Sequence, residues 1–221
     1  MNVLGLDTST AVSAACLLRA DGSAFEAEPA PEALLGSPGH ARELLPAAAR
    51  CLERARLSWR DLDAVAVGVG PGGFTGLRIG VATARGLASA NGADLVGVSS
   101  LRALAAGVAE PVALALIDAR RGELFAALYE GDEERIAPFA GSPRQVIARV
   151  NEHGGDPLAA GDGSLRFREV LEAAGLRVAR AGSRAHVVCG ISVCRLAAHA
   201  APAPPEAVLP DYLRLPDAQP Q

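Results

Sequence analysis

Residues 6–18 read LDTSTAVSAACLL, and a closely similar pattern returns at residues 117–129 as IDARRGELFAALY. In both stretches an apolar strand ends in an aspartate, a polar turn follows, and a second apolar strand runs back. The two aspartates, Asp7 and Asp118, are separated by about half of the 221 residues. A strand–aspartate–turn–strand unit that opens each half of the chain predicts an internal duplication of one fold.

Around these two units, strand and helix patterns alternate. Short apolar runs predict buried strands at 64–69 and 95–98. Helical spacing of apolar residues predicts helices at 40–56, 75–90, 100–106, 170–174 and 187–200. Thr75 and Ser100 are placed to cap two of these helices. Strands that alternate with helices indicate an α/β architecture.

The composition argues against several classes of protein. A net charge of −4 and an aromatic content of 4% indicate that the chain does not bind nucleic acid by itself. Nucleic-acid-binding proteins rely on basic patches and on aromatic side chains that stack on bases. The chain has no lysine, which excludes a P-loop lysine and a Schiff-base lysine. Neither a run of about 18 apolar residues nor a secretory signal is found, so no membrane partner is expected. Four scattered cysteines predict buried free thiols in a reducing cytoplasm.

A glycine-rich stretch, VGVGPGGFTGLRIG at residues 67–80, has the form of a phosphate-binding loop. Gly68, Gly70 and Gly73 match the dinucleotide pattern G-x-G-x-x-G, but Pro71 removes a backbone donor from the loop. The acid that follows, Asp94, precedes its strand, whereas a ribose-binding acid belongs at the carboxyl end of a strand. We therefore interpret the stretch as a tight turn before a helix.

The helix that follows this turn carries two faces of small residues. Gly76, Gly80 and Ala84 recur at intervals of four on one face, and a second small set lies on a neighbouring face. Small residues let another backbone approach closely. Packing on the chain's own sheet explains one such face, and two faces suggest that a second helix docks here, from another chain.

Asp7 and Asp118 are the only carboxylates with a catalytic-looking placement, and two interpretations of them stay open. In a duplicated fold they would face each other across a cleft that holds magnesium and phosphates. Alternatively, each carboxylate hydrogen-bonds the turn of its own hairpin. Arg120 and Arg121 occupy turn positions at which a phosphate-binding hairpin typically has glycine. No two histidines lie three or four residues apart, so no helical metal site is predicted.

Seven motifs along nearly the whole chain resemble the TsaB family, also called YeaZ, a bacterial subunit of the machinery that makes threonylcarbamoyladenosine in tRNA. They are GLDTST at 5–10, HARELLP at 40–46, GPGGFTGLRIG at 70–80, GVSSLRAL at 97–104, DARRGELF at 118–125, GDG at 161–163 and PDYLR at 210–214. One departure is Gly73, where the family commonly has serine. This difference affects the chemistry of the turn rather than the resemblance to the family.

The resemblance implies a duplicated actin-like, Hsp70-like (ASKHA) fold of class α/β. Two subdomains are expected, at residues 1–108 and 109–215, followed by a disordered tail at 216–221. The chain looks like a degenerate paralogue of the catalytic subunit TsaD and lacks the histidine pair through which TsaD binds metal. No catalytic residue, metal site or cofactor is therefore expected on it, and ATP and metal are expected on partner subunits.

The function that the resemblance implies is that of a cytoplasmic, non-catalytic subunit for dimerisation and activation. The complex it serves transfers a threonylcarbamoyl group to N6 of adenosine 37 in tRNAs that read codons beginning with A. The implied partners are a TsaD-type catalytic subunit, a TsaE-type ATPase, a second copy of the chain when it is alone, and tRNA mainly through the complex.

The same resemblance assigns residues by position. The subunit interface is expected on the helices that start near His40 and Thr75, at His40, Leu44, Leu45, Ala48, Cys51, Gly76, Arg78, Gly80, Val81 and Ala84. A family-motif turn and a vestigial cleft are expected at Asp7, Thr8, Ser9, Gly70, Pro71, Gly72, Phe74, Thr75, Asp118 and Arg120. Two other functions stay open. One is a stand-alone ATPase or small-molecule kinase that uses Asp7 and Asp118 around magnesium-ATP, and the other is a peptidase, for which no triad or zinc motif is found.

Overall fold

Two five-stranded sheets form the framework of the chain, which a computed structural model describes over residues 1–27 and 29–213. The first sheet contains β1 (Val3–Asp7), β2 (Ala14–Leu18), β3 (Ala24–Ala27), β4 (Ala64–Gly70) and β5 (Asp94–Ser99). The second contains β6 (Val112–Arg120), β7 (Glu123–Glu130), β8 (Glu133–Gly141), β9 (Leu158–Ala160) and β10 (Arg177–Val178). The strands predicted at 64–69 and 95–98 are confirmed as β4 and β5. The predicted disorder of 216–221 lies outside the described residues.

The two sheets have the same topology. Their strand orders are β3-β2-β1-β4-β5 and β10-β9-β6-β7-β8. In the first sheet β1 pairs antiparallel with β2 and parallel with β4, and in the second β6 pairs antiparallel with β7 and parallel with β9. Each half therefore opens with the hairpin that contains its aspartate. The internal duplication and the two-subdomain actin-like α/β fold are confirmed.

The described chain has seven α-helices, and six of them form three layers around these sheets. The seven helices are α1 (His40–Ala55), α2 (Phe74–Asn91), α3 (Ser100–Ala106), α4 (Pro143–His153), α5 (Asp162–Arg166), α6 (Arg168–Ala173) and α7 (Gly190–Ala197). Helices α1 and α2 cover the outer face of the first sheet, and α4 and α6 cover the outer face of the second. Helices α3 and α7 lie between the two sheets in a shared apolar core.

The ends of three helices differ from the sequence predictions. Helix α2 begins at Phe74 with Gly73 as its N-cap, so Thr75 lies inside the first turn and does not cap it. Helix α3 is capped by Ser99, whose hydroxyl accepts a hydrogen bond from the Arg102 backbone N–H, and Ser100 is its first residue. Helix α7 is shorter than the predicted 187–200. The backbone of Cys189 is extended, so the helix begins only at Gly190.

The C-terminal part of the described chain returns to the first sheet. The Ala203 N–H donates to the Leu95 carbonyl over 2.9 Å, and the Asp211 N–H donates to the Val69 carbonyl over 2.7 Å. Segment 190–211 was predicted with the second subdomain, yet it completes the core of the first. None of the described helices is both long and apolar enough to cross a bilayer. All four cysteines are buried and free, as predicted.

Candidate functional site

A cleft between the two subdomains brings the two hairpin turns together. Its cavity of about 470 Å³ is lined from the first subdomain by Ser9, Thr10, residues 38–42 and 73–76, and Ile79. The second subdomain contributes Asp118, Arg120 and Asp162. Asp118 therefore faces the cleft, whereas Asp7 lies behind the wall of the cavity and is 1% exposed.

Both oxygens of the Asp7 carboxylate are bonded within the first subdomain. Oδ1 accepts from the Ser9 N–H over 2.8 Å and from the Ser9 hydroxyl over 2.6 Å. Oδ2 accepts from the Ser100 hydroxyl over 2.7 Å. Burial raises the pKa of Asp7, and these hydrogen bonds oppose the increase. Asp7 therefore fixes the β1–β2 turn onto the start of α3.

Asp118 is held in the same way by its own turn and by two arginines. Its Oδ1 accepts from the Arg120 N–H over 2.9 Å. Its Oδ2 lies 3.2 Å from the Arg120 guanidinium and 3.5 Å from that of Arg166. Arg120 and Arg121 adopt left-handed backbone angles, with φ of 65° and 52°, and so close a turn that usually calls for glycine. Of the two interpretations of the aspartates, the geometry favours the one in which each serves its own hairpin.

The residues of the cleft do not fit a magnesium–nucleotide site. Magnesium needs carboxylate oxygens that are open to the ion and its waters. The Asp7 carboxylate accepts hydrogen bonds from Ser9 and Ser100. The Asp118 carboxylate forms ion pairs with Arg120 and Arg166. Within residues 1–27 and 29–213, no three His, Cys, Asp or Glu side chains are grouped to hold a metal ion.

The glycine-rich stretch packs on the β1–β2 turn. The Gly73 N–H donates to the Ser9 carbonyl over 2.7 Å, and a Cβ on Gly72 would lie 2.4 Å from that same oxygen. The Thr8 hydroxyl donates to the Gly76 carbonyl over 2.8 Å. Gly70 and Pro71 are joined by a cis peptide bond at the head of the turn. The glycines allow two backbones to touch, in agreement with their interpretation as a turn.

Most of the residues predicted at the subunit interface are buried inside the chain, which corrects that assignment. A Cβ on Gly76 would lie 2.2 Å from the Thr8 carbonyl oxygen, and one on Gly80 would lie 2.2 Å from the Thr8 hydroxyl. The small face of α2 is therefore used by the chain's own first hairpin. The other members that the fold buries are His40, Leu44, Ala48, Cys51, Val81 and Ala84.

Leu45 and Arg78 are the exposed members of that predicted set. Leu45 is 48% exposed, which is high for a leucine in the middle of a helix. Arg78 lies over the Phe74 ring at 3.8 Å and donates from Nε to the Tyr212 hydroxyl over 3.0 Å. We define the outer face of α1 and α2 by exposed apolar or small residues of these two helices that do not line the cleft: Leu45, Ala49, Ala82 and Gly86.

His40 forms a buried polar pair. Its Nδ1 lies 2.9 Å from the Ser13 hydroxyl, and a Cβ on Gly76 would lie 3.1 Å from its Nε2. Burial lowers the pKa of His40, so the neutral ring is favoured. His40 therefore ties the start of α1 to the first hairpin and to α2.

Asp162 is the site residue that the sequence reasoning missed. It is 4% exposed, and its Oδ1 accepts from the Asp118 N–H over 3.0 Å. Burial, with a smaller contribution from the Asp118 charge, raises the pKa of Asp162 to about 6. The only signal for it in the sequence was the GDG motif at 161–163.

An Asp162→Asn variant is expected to flatten the pH dependence of stability. Because the folded pKa of about 6 exceeds the ordinary 3.8, the wild-type chain loses stability as the pH rises between these values. The slope is up to about 1.4 kcal/mol per pH unit. Asparagine keeps an oxygen acceptor for the Asp118 N–H. In urea unfolding from pH 3.5 to 8, the free energy of unfolding of the variant should therefore increase relative to that of the wild type as the pH rises. An unchanged difference across this range would contradict the burial of a titrating group.

Comparisons with known proteins agree with this architecture. A family model described as TsaD, tRNA N6-adenosine threonylcarbamoyltransferase, matches residues 34–219. The Escherichia coli protein named tRNA threonylcarbamoyladenosine biosynthesis protein TsaB is 32% identical over 188 residues, which cover 80% of this chain and 78% of that protein. The chain belongs to the TsaB (YeaZ) family. The recognition made from the motifs is thereby confirmed.

Other members extend the likeness to structure. A crystal structure from Pseudomonas aeruginosa, described as an uncharacterized protein with similarity to peptidase YeaZ, superimposes with a TM-score of 0.78 at 30% identity. The match covers 96% of this chain and 99% of that one. An uncharacterized protein of Mycobacterium leprae is 38% identical over 145 residues, which cover 65% of this chain but only 40% of that protein. The structural match thus spans nearly all of both chains, whereas the chain spans less than half of the M. leprae protein.

Proposed function

We propose that this TsaB-family chain is a non-catalytic dimerisation and activating subunit in the biosynthesis of threonylcarbamoyladenosine in tRNA. The observation that carries the proposal is the match to relatives named for this pathway in E. coli, Bacillus subtilis and Haemophilus influenzae. The proposed reaction of the complex is transfer of a threonylcarbamoyl group to N6 of adenosine 37 in tRNAs that read codons beginning with A.

The state of the two aspartates supports a role without its own chemistry. Asp7 is bonded to Ser9 and Ser100, and Asp118 is paired with Arg120 and Arg166. Neither carboxylate is left open to bind magnesium or to activate a water. In this proposal ATP and the catalytic metal belong to the partner subunits.

The outer face of α1 and α2 supports a role in assembly. Exposed Leu45 and the small exposed residues Ala49, Ala82 and Gly86 give an apolar surface on which a second pair of helices can pack closely. The partner proposed for this surface is a TsaD-type subunit, and a second copy of the chain takes its place when the chain is alone. A TsaE-type ATPase is proposed to join the assembled pair.

Contact with tRNA is proposed to rest mainly on the partners. The net charge of −4 gives this chain little electrostatic attraction for a polyanion. A phosphate backbone is bound chiefly by clustered lysines and arginines, and the 21 arginines here are outnumbered by 25 acidic residues.

Mixing the chain with a TsaD-type protein from the same cell is expected to give a one-to-one complex. Light scattering behind gel filtration measures the mass of each species, with the chain alone and the partner alone as references. Threonylcarbamoylation of tRNA should then require both proteins and a TsaE-type ATPase. Two unchanged species, together with tight magnesium-ATP binding that is lost in Asp7→Asn, would instead support a stand-alone ATPase or kinase.

A further inference from the structure

Two arginines extend the outer face of α1 and α2 along one side of α2. Arg78 lies four residues before Ala82 and Arg85 lies three residues after it, so the three side chains project from the same side of the helix. Arg78 is exposed and Arg85 is half-buried. Within residues 1–27 and 29–213, neither guanidinium forms an ion pair. Helix α2 contains no aspartate or glutamate, so it brings two positive charges and no negative charge to this surface.

The charges of α1 do not neutralise this surplus. Most of its charged residues line either the cleft or the separate cavity beside β3 rather than the outer face: Arg42, Glu43, Arg50 and Arg54. At the end of the helix Glu53 is exposed, and so is the C-cap residue Arg56, so their charges cancel. On a chain whose net charge is −4, the outer face is therefore bordered by a positive surplus.

Arg78 is held in place with part of its guanidinium left free. The guanidinium carbon lies 3.8 Å from the centre of the Phe74 ring, and Nε donates to the Tyr212 hydroxyl over 3.0 Å. The two Nη groups have no acceptor in the part of the chain that the structure describes. A guanidinium that is already fixed can bind a carboxylate through both Nη groups with little further loss of side-chain entropy.

A second copy of the chain is a poor match for this charge. In a two-fold pair the same surface lies on both sides of the interface. An axis that crosses α2 at Ala82 would bring Arg78 opposite Arg85 of the partner subunit. Like charges that meet across an interface weaken it, and the repulsion is strongest at low salt.

We propose that the outer face of α1 and α2 selects a partner with an acidic helix surface over a second copy of this chain, through carboxylates that meet Arg78 and Arg85. The apolar contact at Leu45 and the close approach at Ala82 are open to either partner. The two arginines decide between them, because only an acidic surface turns repulsion into attraction. This inference rests on the assembly role proposed above and adds the chemistry of the partner.

The first test is the salt dependence of association with a TsaD-type protein from the same cell. Attraction between charges should make binding at about 0.1 M NaCl at least about tenfold tighter than at about 1 M, where the Debye length is only about 3 Å. Arg85→Glu should weaken binding about tenfold or more at low salt and less at high salt. Arg195→Glu is the matched control, because it changes the net charge equally at an exposed position on α7, on the other side of the first sheet.

The second test needs no other protein. The double variant Arg78→Glu, Arg85→Glu gives one copy of the chain an acidic outer face. Mixed with the wild-type chain at low salt, it should form mixed pairs about tenfold or more tighter than pairs of the wild type, as measured by sedimentation equilibrium. Thermal melts check that the variant is folded. Arg85→Glu alone, which leaves the contact between Arg78 and Tyr212 in place, replaces the double variant if that one unfolds.

The two tests separate the choice of partner from the assembly role. If the mixed pairs form as expected but no complex forms with the TsaD-type protein, the assembly role is wrong and the charge selectivity stands. The inference is overturned if mixed pairs are no tighter than wild-type pairs. It is also overturned if a complex with the TsaD-type protein responds to neither salt nor Arg85→Glu, or responds equally to Arg195→Glu. Binding of tRNA alone that Arg85→Glu abolishes would overturn it too, because α2 would then be a nucleic-acid surface.

Discussion

A Leu45→Arg variant is expected to stay folded and to lose its association with a second copy or with a TsaD-type partner. Leu45 is 48% exposed at the centre of the outer face, so an arginine there meets solvent in the free chain. In a packed helix interface the same guanidinium would be buried without a partner. Affinity should fall by at least about 100-fold. Light scattering behind gel filtration would show a monomer where the wild type shows a pair.

The matched control introduces an arginine on another helix, at a position that is also exposed. Ala148 is exposed on α4, which packs on the second sheet, whereas α1 and α2 pack on the first. Ala148→Arg should therefore associate as the wild type does. If Leu45→Arg still pairs normally, the interface lies elsewhere on the chain. If both variants dissociate, general charge rather than a defined surface governs assembly.

A Gly76→Ala variant is expected to destabilise the chain severely. The added Cβ would lie 2.2 Å from the Thr8 carbonyl oxygen, and a backbone atom cannot move aside as the end of a long side chain can. Overpacking of this kind costs about 2–3 kcal/mol of unfolding free energy. For a chain of this size the melting temperature should fall by roughly 5–10 °C.

Gly86→Ala, on the same helix, provides the opposite result. No atom lies within 4 Å of a Cβ built at Gly86, and its backbone is helical. Alanine there should stabilise the helix by up to about 1 kcal/mol. Thermal melts of the two variants side by side test whether the small face of α2 is internal. Equal stability of Gly76→Ala and the wild type would show that α2 does not pack on the first hairpin.

The fold could be predicted from the sequence because its strongest signal was local. Each strand–aspartate–turn–strand unit is contiguous, so the alternation of apolar and turn residues indicated it directly. The helix ends were predicted less well. Ser99 and Ser100 are both serines at a strand–helix junction, and the choice of cap depends on the bond from Ser100 to Asp7, 93 residues away.

The site was predicted in part, and the errors have a common physical origin. Small residues at intervals of four on α2 indicate close approach by some backbone, but the pattern does not say whose. Here the approaching backbone is that of Thr8 in the same chain. Asp162 reaches Asp118 only because β9 pairs with β6, and a contact across 44 residues leaves no periodic trace in the sequence.

The layer between the sheets has a consequence for how the chain is made. Strand β1 precedes α7 by most of the described chain, yet it packs against that helix, and Gly190 and Cys194 lie directly on Gly5. The edge strand β5 receives Ala203 still later. Domains commonly fold in order from the N-terminus during synthesis. Here the first half stays unfinished until α7 and Ala203 are translated, so a ribosome that stalls before them would present an incomplete apolar core to the cell's chaperones.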